Sequence, residues 1–210
     1  MSEAQKPQRK KSRLYAFLRG LGDVAFHSVL PVKYHGAEKL QGEGSFIVIG
    51  NHQCWIDPVV MAVPIKKRQI SLLAKKEIGA GGKLTKILDN MHVVLVNRHN
   101  TDMEAMRACM KVVREGHILG VFPEGTRHHK GMMEELETGV AMIALRAGVP
   151  LIPMLIPRKM KFFRRNDCYV GDAIPLDDLR EKGINKDTCQ ELLQRITATY
   201  AQMLKTAEGK

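Results

Sequence analysis

Two hydrophobic rhythms alternate along this chain. Short apolar runs of buried-strand length occupy Ser45–Gly50, Ile70–Ala74, His92–Val96, Ile118–Phe122 and Leu151–Ile156, with a shorter one at Cys168–Gly171. Helical periodicity fills the gaps at Asp57–Ile65, Thr101–Glu115, Met133–Ala147 and Asp187–Leu204. In the last of these Leu192, Ile196, Tyr200 and Met203 share one stripe, and Asp187 and Gln190 have capping-box spacing. Lys75–Asp89 reads as helix or loop, weakened by Gly79, Gly81 and Gly82. Strands alternating with helices predict an α/β fold, a mixed, mostly parallel central sheet flanked by helices.

The N-terminal region follows a different pattern. Leu14, Phe17, Leu18, Leu21 and Ala25 make one helical stripe, and Ala16, Gly20, Asp23 and His27 the opposite one. Lys6, Arg9, Lys10, Lys11 and Arg13 precede it. An amphipathic helix behind a basic tail suits a membrane interface, and equally a helix packed on its own domain. The expected division is therefore 1–32, the basic tail and amphipathic helix, and 33–210, the main domain. No apolar stretch is long enough for a plain transmembrane helix.

Composition narrows the classes. With 210 residues, 44% hydrophobic and 26% charged, the chain is neither fibrous nor wholly disordered. Aromatics at 5% count against a base-stacking nucleic-acid platform. Lys+Arg 33 against Asp+Glu 22 gives a net charge of +11, which suits polyanions, whether nucleic acid, anionic lipid or phosphate-bearing substrates, and charge alone does not choose among them. Part of that charge is a cluster at Arg158, Lys159, Lys161, Arg164 and Arg165, interleaved with Met160, Phe162 and Phe163. It reads either as a headgroup-binding segment or as a solvated loop with one or two buried Phe. Cys54, Cys109, Cys168 and Cys189 form no CxxC pair and read as reduced thiols. His128 and His129 lack the i, i+4 spacing of common metal ligands, so no metal is expected.

Two polar segments directly follow predicted strands, where α/β sheets place their sites. In Gly50-Asn51-His52-Gln53-Cys54-Trp55-Ile56-Asp57-Pro58, His52 and Asp57 are about 140° apart on a straight helix and cannot pair there. A turn at Gly50 and Asn51 would let them meet, giving a histidine oriented by a carboxylate. The alternative is an Asp-Pro helix start with an ordinary turn histidine. Cys54 admits a Cys–His nucleophile as a further alternative. The second segment is Val121-Phe122-Pro123-Glu124-Gly125-Thr126-Arg127. Pro123 ends a strand, Gly125 permits a tight turn, and Arg127 offers a phosphate-binding fork. It reads as an anion nest or as a strand-to-helix turn with a Glu–Arg pair. Met132, Met133 and Met142 are either acyl-chain lining or plain core.

Together, N-H-x-x-x-x-D and F-P-E-G-T-R in this order resemble the signature motifs of the glycerolipid acyltransferases, the 1-acyl-glycerol-3-phosphate acyltransferases and their relatives. Lys75-Lys76-Glu77, Arg98, Val149-Pro150-Leu151-Ile152-Pro153 and Gly171-Asp172-Ala173-Ile174-Pro175-Leu176 resemble further blocks of that family. The resemblance spans roughly residues 33 to 180, and Cys54 stands where the family often has Ser. It implies an O-acyltransferase domain over 33–210 acting in phospholipid biosynthesis. His52 would be the general base and Asp57 its orienting partner. Arg98, Glu124, Gly125, Thr126 and Arg127 would bind the acceptor, and Pro153 would shape the floor of the site. Implied partners are a lysophospholipid acceptor, an acyl-CoA or acyl carrier protein donor, and an anionic membrane surface on the cytoplasmic face, with no further cofactor and no nucleic acid.

Overall fold

The computed structural model describes Gly20, Val24 and residues 28–66, 68–75, 93–96, 103–125 and 132–209. In chain order these residues form β1 (Val32–His35), a 3-10 turn (Ala37–Leu40), β2 (Phe46–Gly50), α1 (Asp57–Ala62), β3 (Ile70–Lys75), β4 (Val94–Val96) and α2 (Met103–Arg114). There follow β5 (Ile118–Val121), α3 (Thr138–Ala147), β6 (Leu151–Leu155), β7 (Asn166–Val170), α4 (Asp177–Glu181) and α5 (Lys186–Glu208). The expected helix at Leu14–Leu30 and the Lys75–Asp89 segment lie largely outside the described residues.

The strands make a seven-stranded sheet in the order β1-β7-β6-β2-β5-β3-β4. Neighbours run parallel except at β6–β7, so the sheet is mixed and mostly parallel, as the alternating pattern predicts. β2 lies at the centre between β5 and β6 and is buried along its whole length. That explains its continuous apolar run: a strand covered on both faces has no side left for polar residues. Alternate residues feed two cores. Ile47, Ile49, Leu119, Val121, Leu151 and Leu155 face α2, α3 and α5, while Phe46, Val48, Ile118, Ile152 and Met154 face α1 and Leu30. Full burial of one such side chain is worth about 1.5–3 kcal/mol relative to exposure, so the three central strands anchor the scaffold.

Several elements depart from the expected pattern, among them α4, which no periodicity singles out. β1 reads VKYH and is only half-buried, so it carries no apolar signal; it exists because it pairs with β7 at the sheet edge. α3 begins at Thr138, not at Met133. Met133 has a left-handed backbone (φ 58°), and its N–H is taken by Glu124 Oε1 at 2.8 Å, which keeps this segment out of the helix. Its side chain is fully buried, and Met132 and Met142 pack against the same core. The cap of α5 is Asn185 with Thr188, not Asp187 with Gln190. The Asn185 side chain accepts from Thr188 N, and Thr188 Oγ1 accepts from Asn185 N, both at 3.0 Å. Asp187 lies in the first turn, where its charge favours the helix N-terminus.

Candidate active site

The site is built where β2, β5 and β6 end together. Gly50 closes β2, and a Cβ there would lie 2.5 Å from Met61 Cε and 3.3 Å from the Phe122 ring, so α1 and the β5 exit pack closely over a residue without a side chain. Asn51 is fully buried and continues the ladder with its side chain: Nδ2 donates to Ile156 O at 2.9 Å, and Oδ1 accepts from Ile156 N at 2.8 Å. Gln53 Nε2 donates to the same carbonyl at 2.6 Å. From below, the buried Tyr200 hydroxyl on α5 shares its proton between Ile49 O at 2.6 Å and Met154 O at 3.2 Å. The strand ends that carry the loop are thus tied to each other by side chains.

Between Asn51 and α1 the chain turns, and His52 and Asp57 meet. His52 Nδ1 lies 3.0 Å from Asp57 Oδ2. That oxygen also accepts from Gln53 N at 2.6 Å and Cys54 N at 2.7 Å, and Oδ1 accepts the Cys54 thiol at 3.0 Å. Burial by itself would raise the Asp57 carboxyl. The hydrogen bonds from His52, the Cys54 thiol and the two main-chain amides outweigh it and hold the group below its ordinary 3.8. A carboxylate only accepts, so the proton of the His52 ring is on Nδ1 and the lone pair is on Nε2. Among the described residues no hydrogen bond engages Nε2. The ring stacks on Phe122 with centroids 4.5 Å apart.

The helix-start alternative is half right. Pro58 does occupy the first turn of α1, but the Asp57 carboxylate reaches back into the loop and leaves the helix without a side-chain cap. The Cys54 nucleophile does not fit. Burial and the hydrogen bond to Asp57 both push its thiol upward, so it stays protonated and its hydrogen is spent on Asp57.

Glu124 does something its sequence position does not disclose. It is buried; Oε2 accepts from His52 N at 2.6 Å and Oε1 from Met133 N at 2.8 Å. The resemblance assigns it to the acceptor; in the structure it clasps the histidine's own backbone to the segment after β5. Gly125 (φ 63°) closes the turn with its N–H on Phe122 O at 3.0 Å. Arg98, Thr126 and Arg127 lie outside the described residues. Pro153 is buried within β6, in register with Ile49, on the face that carries α5. A Cβ on Gly171 would meet its ring at 2.8 Å and Met203 of α5 at 2.9 Å, so Pro153 packs tightly between β7 and α5, one residue before the level of Gly50. Asn51, Phe122 and Tyr200 were not predicted as site residues. Asn51 stands inside the N-H-x-x-x-x-D motif, which was the available signal. The helix stripe marks Tyr200 only as apolar.

A histidine oriented by a buried carboxylate after β2, and a Glu-Gly turn after β5, carry the two motifs of one family on the fold that goes with them. The chain belongs to the Acyltransferase family, whose model matches residues 31–157. It is 31% identical over 122 residues to the 1-acyl-sn-glycerol-3-phosphate acyltransferase of Bacillus subtilis (strain 168), a match covering 58% of this chain and 60% of that protein, under two thirds of its length. To the enzyme of the same name from Streptococcus pneumoniae it is 25% identical over 197 residues, 90% of this chain and 72% of that one. Its fold is similar to the crystal structure of the 1-acyl-sn-glycerophosphate (LPA) acyltransferase PlsC from Thermotoga maritima, with a TM-score of 0.65 at 21% identity, over 93% of this chain and 80% of that one.

Proposed function

We propose that this chain transfers an acyl group from a thioester, acyl-CoA or acyl carrier protein, to the free hydroxyl of a lysophospholipid, with 1-acyl-glycerol-3-phosphate as acceptor and phosphatidic acid as product. The observation that carries the reading is the His52 Nδ1–Asp57 Oδ2 hydrogen bond, which leaves Nε2 as a lone-pair base. Nε2 takes the proton of the acceptor hydroxyl as its oxygen attacks the thioester carbonyl. The tetrahedral oxyanion collapses, the C–S bond breaks, and the leaving thiolate takes the proton from the imidazolium. Asp57 holds the imidazole in the correct tautomer and stabilises its cation. No enzyme nucleophile is needed, in keeping with a Cys54 thiol engaged elsewhere.

Glu124 serves by positioning His52, and Arg98, Thr126 and Arg127 are assigned to the acceptor, the two arginines to its phosphate. The net charge of +11 favours anionic substrates and a peripheral seat on the cytoplasmic face of a membrane. Among the described residues, no helix is long and apolar enough to cross a membrane. The test is thiol release from acyl-CoA with lysophosphatidic acid in detergent, comparing wild type with His52→Ala. Acceptor-dependent release falling by ~10³-fold in the variant is the expected result. Release that survives in His52→Ala removes the base assignment. Release that requires a different lysolipid, or an acyl carrier protein, changes the substrate and keeps the chemistry.

A further inference from the structure

The hairpin between β6 and β7 has no part in the acyl-transfer chemistry. Leu155 pairs with Tyr169 across the antiparallel strands, so β7 starts three residues beyond the level where β6 ends, and β6 ends level with Gly50 and Asn51. At about 3.3 Å per residue, Asn166 therefore stands ~10 Å beyond the edge that carries His52. The connection 157–165 forms the tip of this arm.

The tip is ordered. Asn166 Oδ1 accepts from Lys161 N at 2.8 Å, and Nδ2 donates to Arg164 O at 2.8 Å and Lys161 O at 3.0 Å. Phe163 N donates to Val29 O at 2.7 Å, joining the arm to the chain just before β1. Met160 packs into the core beneath, yet the next two aromatics turn outward: Phe162 is 52% and Phe163 77% exposed. Phe163 also holds a left-handed backbone (φ 56°), uncommon for a bulky residue and held by its surroundings. All five cations between residues 158 and 165 are exposed, and none pairs with a described acidic residue. The solvated-loop reading with a buried Phe does not describe this tip.

We propose that the 157–165 arm is a membrane anchor, inserting Phe162 and Phe163 at the headgroup–acyl boundary of an anionic bilayer while its cations bind lipid phosphates. Aromatic tips ringed by Lys and Arg fit a charged interface with an apolar layer beneath it. An acidic protein would be served by the cations alone and gives no reason to expose two adjacent phenylalanines. The same edge presents Trp55, 65% exposed on the His52 loop, so seating the arm brings the site to the lipid surface. The choice of a bilayer rests on the reading of the acceptor as a lipid.

Trp55 is the chain's single tryptophan and reports on this directly. The full chain is mixed with phosphatidylcholine vesicles, with and without phosphatidylglycerol, and followed by co-sedimentation and Trp55 emission. Compared with it are Phe162→Ser/Phe163→Ser, Arg164→Gln/Arg165→Gln and, as a control, His52→Ala. Wild type and His52→Ala should bind anionic vesicles equally, with a blue shift of Trp55. The phenylalanine variant should lose about tenfold in partitioning and most of the shift. The arginine variant should lose about tenfold on anionic vesicles only. Both substituted pairs are exposed, so far-ultraviolet circular dichroism should match wild type and a folding failure is visible separately.

Partitioning and emission unchanged in the phenylalanine variant overturn the proposal. So does a variant that binds vesicles normally but loses affinity for acyl carrier protein or for a second copy of the chain, which assigns the arm to a protein partner. Vesicle binding needs no turnover, so an inactive chain that still binds through the arm refutes the acyltransferase reading alone.

Discussion

Two loops leave neighbouring strands at the same edge of the sheet, and both are fastened at or beside Ile156. The loop 51–56 turns its chemistry inward. Asn51 bonds both main-chain groups of Ile156, the Asp57 carboxylate collects four donors, and the His52 backbone is clasped by Glu124. The loop 157–165 orders its backbone as firmly through Asn166, yet turns its cations and aromatics outward. Similar backbone restraint therefore serves opposite ends. Fixing a side chain to within tenths of an ångström demands burial and full hydrogen-bond satisfaction, whereas adhesion to a surface demands exposure on a rigid base.

The largest predicted effect breaks the inward loop at its centre. Asp57→Asn should lower kcat by ~10⁴-fold, because an amide permits the wrong imidazole tautomer. The same variant has a signature in acid. The folded carboxyl lies below 3.8, so the unfolded chain binds its proton first as pH falls; this stabilisation is complete above that value and is lost as pH drops through the lowered folded one. Thermal melts across that range should show a component of acid sensitivity in wild type that Asp57→Asn lacks.

Next in size is Glu124→Gln, which must leave His52 N or Met133 N facing an amide nitrogen. It should cost about 1–3 kcal/mol in urea unfolding and ~10-fold in kcat, with little change in KM. Glu124 in a substrate-binding role would raise KM instead, so this split separates the two readings.

The outward loop gives a smaller effect of opposite sign. Phe163→Gly relieves a left-handed backbone and should stabilise the fold by ~1 kcal/mol in urea titration while weakening vesicle partitioning. Smallest of all is Cys54→Ser, which keeps a donor on Asp57 Oδ1 and should leave turnover within about threefold of wild type. Cys54→Ala removes that donor and should cost more.

What the sequence made legible follows from this contrast. β2, β5 and β6 were readable because strands buried on both faces must be apolar throughout; β1 was not, because only its pairing with β7 makes it a strand. The meeting of His52 and Asp57 was readable as a local turn, five residues long. The clasp by Glu124 spans 72 residues and the Tyr200 contact 151, and nothing in local spacing encodes either. Phe162 and Phe163 illustrate the same limit: composition marks a basic aromatic run, and only the register of β6 with β7 reveals that it projects past the site.

That long reach from Tyr200 to Ile49 has a consequence for biosynthesis. A ribosome adds roughly 5–20 residues per second, so the segment bearing His52 emerges many seconds before the helix whose hydroxyl ties β2 to β6. Until Tyr200 emerges, the nascent chain has the motif but not the brace beneath it, and the geometry around His52 waits on α5. A stalled product ending ahead of Tyr200 should therefore carry the His52 loop without its fixed geometry.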